Sequence, residues 1–277
     1  MIKRVVLFVL VLVCAANRMD AQVVDDDYQI EQQLLASTKQ LNQFFKRFNG
    51  EENNRGDELE PGDRLYRSAR LRKRYLGMLF DEERAEIPKS TKNKFIDFTT
   101  GSEQPKYLNL RSDDWFAVVS TTFVYEGRQE TAILYMEIQQ EGLGYEWVIS
   151  DVSFAPYDKV FDKQRGETKE FLHPMSHELD FMNLRKALVK GGSPESYTLA
   201  DYKPDYLTLF LYEIKKGSLK FETVNRLKFH FFTLDGWYFS LNNFNRAGYN
   251  TGWLISDLTE INKSQKDQLL KIIYDQK

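Results

Sequence analysis

Apolar residues recur through the first hundred positions at helical intervals. In DDDYQIEQQLLASTKQLNQFFKRF, Leu34, Leu35, Leu41, Phe44, Phe45 and Phe48 fall on one face of a helix. Its acidic start, Asp25 to Asp27, suits the partial positive charge of a helix N-terminus. After the polar loop NGEENNRGDELEPGD, the spacing of Leu65, Tyr66, Ala69, Tyr75, Leu76, Leu79 and Phe80 predicts a second helix. A shorter helix or turn is expected around Ser90 to Phe98, ended by TTGSEQP.

The pattern then changes to strands. DWFAVVSTTFVY, RQETAILYMEIQQ and YEWVISDVSF are rich in β-branched and aromatic residues. Glu126-Gly127 predicts a tight hairpin between the first two, and Glu141 to Gly144 joins the next. A polar stretch follows, with Pro156 and Gly166. The second half repeats the order. HELDFMNLRKALV predicts a helix ending before Gly191-Gly192. A second helix is expected over Pro204 to Lys216, with Pro204 in its first turn and Gly217 as its C-terminal cap. Strands LKFETV, NRLKFHFFTL, WYFSLNNF and GWLISDLTEI follow, with Asp235-Gly236 as a hairpin turn. A closing helix is expected over Gln265 to Tyr274.

Both halves therefore predict helices followed by an antiparallel meander. The last strand of each carries the same signature, WVISDVS from Trp147 and WLISDLT from Trp253, 106 positions apart. That period is domain-sized, so the expected fold class is α+β with two tandem modules, each made of helices followed by a curved antiparallel sheet. The expected boundaries are residues 22–155 and 169–277, with a linker at 156–168. In the first half, LNQFFKRFN, RYLGMLFD, WFAVVSTTFVY and GYEWVISDV together resemble the cone-shaped fold of nuclear transport factor 2 and its relatives. The resemblance covers roughly residues 25–155 and implies a sheet concavity that can hold an acidic residue. The order DYLTLFLYEIKKG, FHFFTLDGWYF, GWLISDLT also resembles exported proteins of Bacteroidetes.

The N-terminus bears on location. MIKR, the apolar run VVLFVLVLVCAA and the polar NRMDAQ have the layout of a secretory signal peptide, residues 1–21, cleaved after Ala21. The apolar run falls short of the roughly 20 residues that span a bilayer. A retained anchor and lipidation at Cys14 are the alternatives, and Val13 before Cys14 fits the second poorly. The expected location is the periplasm or cell surface, with membrane contact only through the N-terminal segment if it stays uncleaved. Cys14 is the single cysteine, so the mature chain has no disulfide, thiol nucleophile or cysteine-ligated metal site. The net charge is −3, and removing residues 1–21 takes away three basic residues and one acidic, leaving −5. That balance argues against nucleic acid as a partner.

Candidate chemistry is sparse. No P-loop, dinucleotide glycine fingerprint, GxSxG elbow or HExxH is present, and no cofactor or metal is expected. Strand alternation puts Trp147, Ile149, Asp151 and Ser153 on one face, and Trp253, Ile255, Asp257 and Thr259 likewise. Asp151 and Asp257 are candidate general acid/bases if aromatic walls desolvate them, because desolvation raises a carboxyl pKa. The repetition favours a structural role for both. His230 is expected on the wet face with Arg226 and Lys228, with Asp257 as a possible partner if their strands adjoin. His173 and His177 have metal-like spacing, but Pro174 breaks the helix and Ser176 has the character of an N-cap. Trp115, Tyr135, Trp147 and Trp253 are the candidate ligand-contacting aromatics. Arg67, Arg70 and Arg74 form a candidate stripe for an anion or partner, against a bland reading as a solvated helix face.

Three functions are in play. The leading one is a non-catalytic exported protein that binds an envelope protein or a small ligand. The second is a small-molecule enzyme with an Asp acid/base in a cone-fold cavity. The third is an envelope component of a conjugation or secretion apparatus.

Overall fold

The computed structural model describes residues 41–53, 55–83, 86–142, 144–160, 172–179, 181–182, 184–189, 194–199, 202–246 and 250–275. The expected signal peptide, Leu34 and Leu35, and residues 161–168 of the expected linker lie outside them. Among the described residues, helices mix with one antiparallel sheet, as α+β requires. The strands are β1 (Trp115–Tyr125), β2 (Arg128–Glu141), β3 (Gly144–Phe154), β4 (Leu219–Phe231), β5 (Trp237–Phe244) and β6 (Gly252–Glu260), in sheet order β3-β2-β1-β4-β5-β6. The chain divides into two compact units, residues 1–110 with 241–258 and residues 111–240 with 259–277. These are not the sequence halves, since β1 and β4 pair within the second unit.

In the first unit, helix α1 covers 41–49 of the described chain, α2 is Ala69–Met78 and α3 is Lys89–Thr100. The expected apolar face of α1 is buried at Leu41, Phe44, Phe45 and Phe48. The helix ends in a Schellman turn, where Glu51 N–H donates to Lys46 O at 2.8 Å and Gly50 N–H to Arg47 O at 3.2 Å. Gly50 has φ +72°, and a Cβ there would lie 2.7 Å from Arg72 Cγ. Helix α2 starts later than its apolar pattern suggested. Ser68 caps it by accepting the Leu71 N–H, and Leu65 lies exposed in the preceding turn. Local hydrogen bonding by Ser68 sets the start here, rather than hydrophobic spacing. Phe95 of α3 meets Phe48 and Phe80 edge-on, each with ring centroids 6.3 Å apart.

In the second unit, β1 and β2 join through Glu126 (φ 50°) and Gly127 (φ 78°), two left-handed positions that make a tight primed turn. LKFETV and NRLKFHFFTL are one continuous strand, β4, not two. The interruption is a pair of register shifts opposite Ser120/Thr121 and Thr122/Phe123. The short helix α4 (Ala155–Val160) follows β3 directly. The expected helix over HELDFMNLRKALV is replaced by a 3-10 turn, Pro174–Leu179, and a short helix α5, Leu184–Val189. Helix α6 is Tyr206–Lys216. Asp205 rather than a proline opens it, accepting the Thr208 N–H at 3.0 Å, and Gly217 at φ 80° closes it as expected. Helix α7, Lys263–Tyr274, starts with a capping box between Asn262 and Gln265.

Residues opposite one another across an antiparallel pair share a face, so the registers sort the second unit's core into two layers. One face carries Trp115, Phe123 and Tyr125 of β1. At one end of it Phe123, Phe154, Tyr157 and Phe210 pack edge-to-face, with α6 supplying Phe210. At the other end Trp115 stacks on Phe231 at 5.1 Å, and Phe231 on Phe239 at 4.7 Å. The opposite face carries Phe116, Val118 and Tyr135, and α7 covers it through Ile273, Leu269 and Leu270.

Candidate functional site

The repeated signature lies on β3 and β6, the two outermost strands of the sheet order. A bulge changes how the first copy is read. Tyr135 lies opposite Asp151 while Met136 lies opposite Ile149, so Ser150 is the extra residue. Trp147 and Ile149 stay on the Trp115 face, and Asp151 is turned to the Tyr135 face. The shared face expected for Trp147, Ile149 and Asp151 is therefore corrected. Asp151 is exposed, and its Oδ1 accepts its neighbour's Val152 N–H at 2.7 Å. In the first unit, Trp253, Leu254 and Ile255 are buried in succession. Asp257 is exposed and its Oδ2 accepts from Ser256 Oγ at 3.1 Å. Both carboxylates face solvent, so neither is walled in by aromatic rings as the acid/base reading required.

His230 is not on a wet face. It is 2% exposed, stacked on Phe116 at 5.3 Å, with Nδ1 2.9 Å from the Tyr238 hydroxyl. Its strand neighbours Arg226 and Lys228 suggested water, but the covering layer at this end includes α7 and Phe232. Strand β5 stands between β4 and β6, so the strands of His230 and Asp257 do not adjoin. His173 accepts the Met175 N–H at 3.2 Å, and the His177 ring lies 2.9 Å from Pro174 O. Ser176 sits inside the 3-10 turn instead of capping a helix.

The arginine stripe also changes. Arg67 precedes Ser68, so it lies off α2, at φ 54°. It pairs with Glu51 at 2.6 Å and lies over the Tyr107 ring at 4.5 Å. Arg70 and Arg74 are exposed on α2. Sequence reasoning missed Arg72, which is 1% exposed. Its position three before Tyr75 and four before Leu76 puts it on the buried side, a signal helical spacing does carry.

Of the four candidate aromatics, three are core. Tyr135 is fully buried, donates its hydroxyl to Ile273 O at 2.8 Å and stacks on Tyr274 at 4.4 Å. Burial pushes its pKa up to about 12, helped by the Asp151 and Asp275 charges. Trp115 and Trp253 are 2% and 5% exposed. Trp147 differs, at 39% exposed, held edge-on to Trp115 at 5.2 Å and 6.0 Å from the Phe229 ring. Two residues back, Tyr145 is also open, with the Arg111 guanidinium 4.9 Å from its ring. Tyr145 lies opposite Gln140 and Trp147 opposite Ile138, so both project from the same face of an edge strand. This is the candidate site: two solvent-facing aromatic rings, one braced by a buried tryptophan and one by a cation. A separate pocket of about 460 Å³ lies between the β4–β5 turn and the start of α7, lined by Phe232, Trp237, Lys263 and Lys266. Lys266 there is already engaged, with Asp114 at 2.8 Å and over the Phe232 ring.

No family model, curated protein or solved structure matches this chain.

Proposed function

We propose that the protein is a non-catalytic exported binding protein of the bacterial envelope, and that it engages a partner protein through the Tyr145–Trp147 face. One observation carries the reading: Trp147 is presented to solvent on an edge strand while Trp115 fixes its ring from below. Large rings held in place lose little conformational entropy on binding, which is why aromatic residues dominate binding hot spots. The layout of residues 1–21 and the absence of cysteine after Cys14 support export. The repeated signature on β3 and β6 supports descent of the two halves from one duplicated module.

The test has two parts. Protein recovered from the envelope should begin at Gln22. A photo-crosslinking residue at position 147, mixed with the envelope fraction of the producing cells, should give one discrete adduct. The same residue at position 272, an exposed site on α7, should not. Equal labelling from both positions, or none from 147, would sink the reading.

A further inference from the structure

The edge of β3 is more than a support for two rings. Among the described residues, no backbone hydrogen bond crosses the outer side of residues 144–151. Natural edge strands are commonly blunted by lysine, proline, bulges or a covering element. GYEWVISDVSF contains no lysine and no proline. Its bulge sits at Ser150, beyond the first six residues, so Gly144 to Ile149 remain a regular strand. The other outermost strand, β6, is treated differently. In the first unit Ile255 N–H donates to Leu79 O at 2.8 Å and Asp81 N–H to Ile255 O at 3.0 Å, a parallel bridge that occupies that edge.

The two faces beside the open edge differ in chemistry. Tyr145, Trp147 and Ile149 form an apolar row, joined by Ile138 and Met136 from β2. On the other face Glu146 alternates with Val148, and Glu137, which lies opposite Val148, adds a second carboxylate. Asp151, turned to this face by the bulge, adds a third. Glu146, Glu137 and Asp151 are all exposed.

We infer that β3 is a docking edge for an extended segment of a partner protein in which basic residues alternate with apolar ones. The segment adds to the sheet as a further strand over Tyr145 to Ile149. Its apolar side chains lie along Trp147 and Ile149, and its lysines or arginines meet Glu146, Glu137 and Asp151. Main-chain hydrogen bonds supply affinity in this mode and the alternating side chains supply specificity. Charge selects the occupant. A second copy of this chain would bring a second Glu146 and Asp151 beside the first, and like charges facing across strands are destabilising. A basic segment converts the same carboxylates into attractive partners.

This inference rests on the protein-binding reading above, and the experiment separates the two. The probe is a fluorescein-labelled heptapeptide, Lys-Val-Lys-Ile-Lys-Val-Lys, titrated with the full chain and followed by anisotropy. The same peptide N-methylated at alternate residues keeps its charge and loses the donors along one edge. Expected are binding of the first peptide, at least roughly tenfold weaker binding of the second, and slowed amide exchange at Tyr145 to Ile149 in the complex. Glu146→Lys, at an exposed position, should weaken binding by a similar factor, and Trp147→Ala should weaken it with an unchanged far-ultraviolet spectrum. Equal binding of both peptides, or no binding of either, overturns the inference. So does a dimer, seen by sedimentation without peptide, that Glu146→Lys strengthens or leaves intact. If the adduct at position 147 forms while the peptide does not bind, strand addition is wrong and the protein-binding reading stands. If both fail, both fall.

Discussion

Arg72 turns a basic helix into part of a core. Its guanidinium donates to Phe48 O and Thr99 O, each at 3.1 Å, and to Lys106 O. It also lies over the Tyr107 ring at 4.4 Å. Desolvation lowers its pKa, yet an arginine stays charged throughout the working range. One side chain thus satisfies carbonyls from α1, from α3 and from the segment after it. Arg72→Met keeps the length and removes every donor. The expected loss is about 3 kcal/mol or more by urea denaturation, since buried carbonyls bonded to a charge are left without partners. Arg72→Lys should recover only part, because an ammonium cannot span three carbonyls in a plane. A methionine variant as stable as wild type would contradict this account. Arg246 makes a parallel case in the same unit. It donates to Asp81 Oδ1 at 2.7 Å, and Asp81 is 1% exposed. Asn250 reinforces the pair by donating to Phe80 O at 2.8 Å and accepting the Glu82 N–H at 3.1 Å. Arg246→Ala strands a buried carboxylate and should cost roughly 2–4 kcal/mol, whereas Asp81→Asn with Arg246 intact should cost less. Thermal midpoints of the two variants, compared with wild type, check the order.

At the scale of elements, the attachment of α7 depends on protonation. The Tyr135 hydroxyl donates to Ile273 O, and its ring stacks on Tyr274. Burial raises the pKa of both phenols to about 12, with the Glu137 charge adding to it at Tyr274. A phenol is neutral when protonated, so the folded chain holds its proton more tightly than the unfolded one. The stabilisation is therefore complete below pH 10 and is lost as the pH rises from about 10 towards 12. For Tyr135 alone the full span is on the order of 2 kcal/mol. Wild type should lose urea resistance steeply over that window. Tyr135→Phe should start lower at pH 8, by about 1 kcal/mol for the lost hydrogen bond, and fall less steeply. Parallel curves for the two proteins would remove Tyr135 as the cause. Much of this layer was legible beforehand. Asp235-Gly236, Gly217 and the closing amphipathic pattern mark turns and caps whose chemistry is local. The bulge at Ser150 was not legible. It exists only in the pairing of β3 with β2, and it alone moves Asp151 off the Trp147 face. The burial of His230 was hidden for a similar reason. RLKFHFF alternates as a strand should, but whether its polar side meets water depends on α7, more than thirty residues later.

The repeated signature marks corresponding strands in the two halves of the chain, but not how the strands pair. Both copies lie on the last strand of a three-stranded run, and the sheet order places those strands at its two outer positions. What the repeat could not convey is that the first strands of the two runs, β1 and β4, pair with each other. Trp115 lies opposite Phe231 and Phe116 opposite His230. The pairing joins residues 94 to 116 positions apart, from Tyr125–Leu219 to Trp115–Phe231, and no local pattern encodes it. It bears directly on what can fold alone. A fragment of residues 22–155 keeps β1, β2 and β3 but lacks β4 and α7. Its β1 would offer an unpaired edge on the inner side, and Trp115, Phe116, Ala117 and Val118, all buried in the intact unit, would lose the strand or helix they pack against. A three-stranded sheet so exposed on both faces invites association through its edges. The expected outcome is a fragment that aggregates or lacks a cooperative thermal transition, while residues 22–277 unfold cooperatively. Co-expressing 22–155 with 169–277 should restore a soluble complex, because each fragment returns the missing partner of the β1–β4 pair. If 22–155 purifies as a monomer with a sharp transition and dispersed amide resonances, the first module closes its own core. In that case β1 does not need β4 in order to fold.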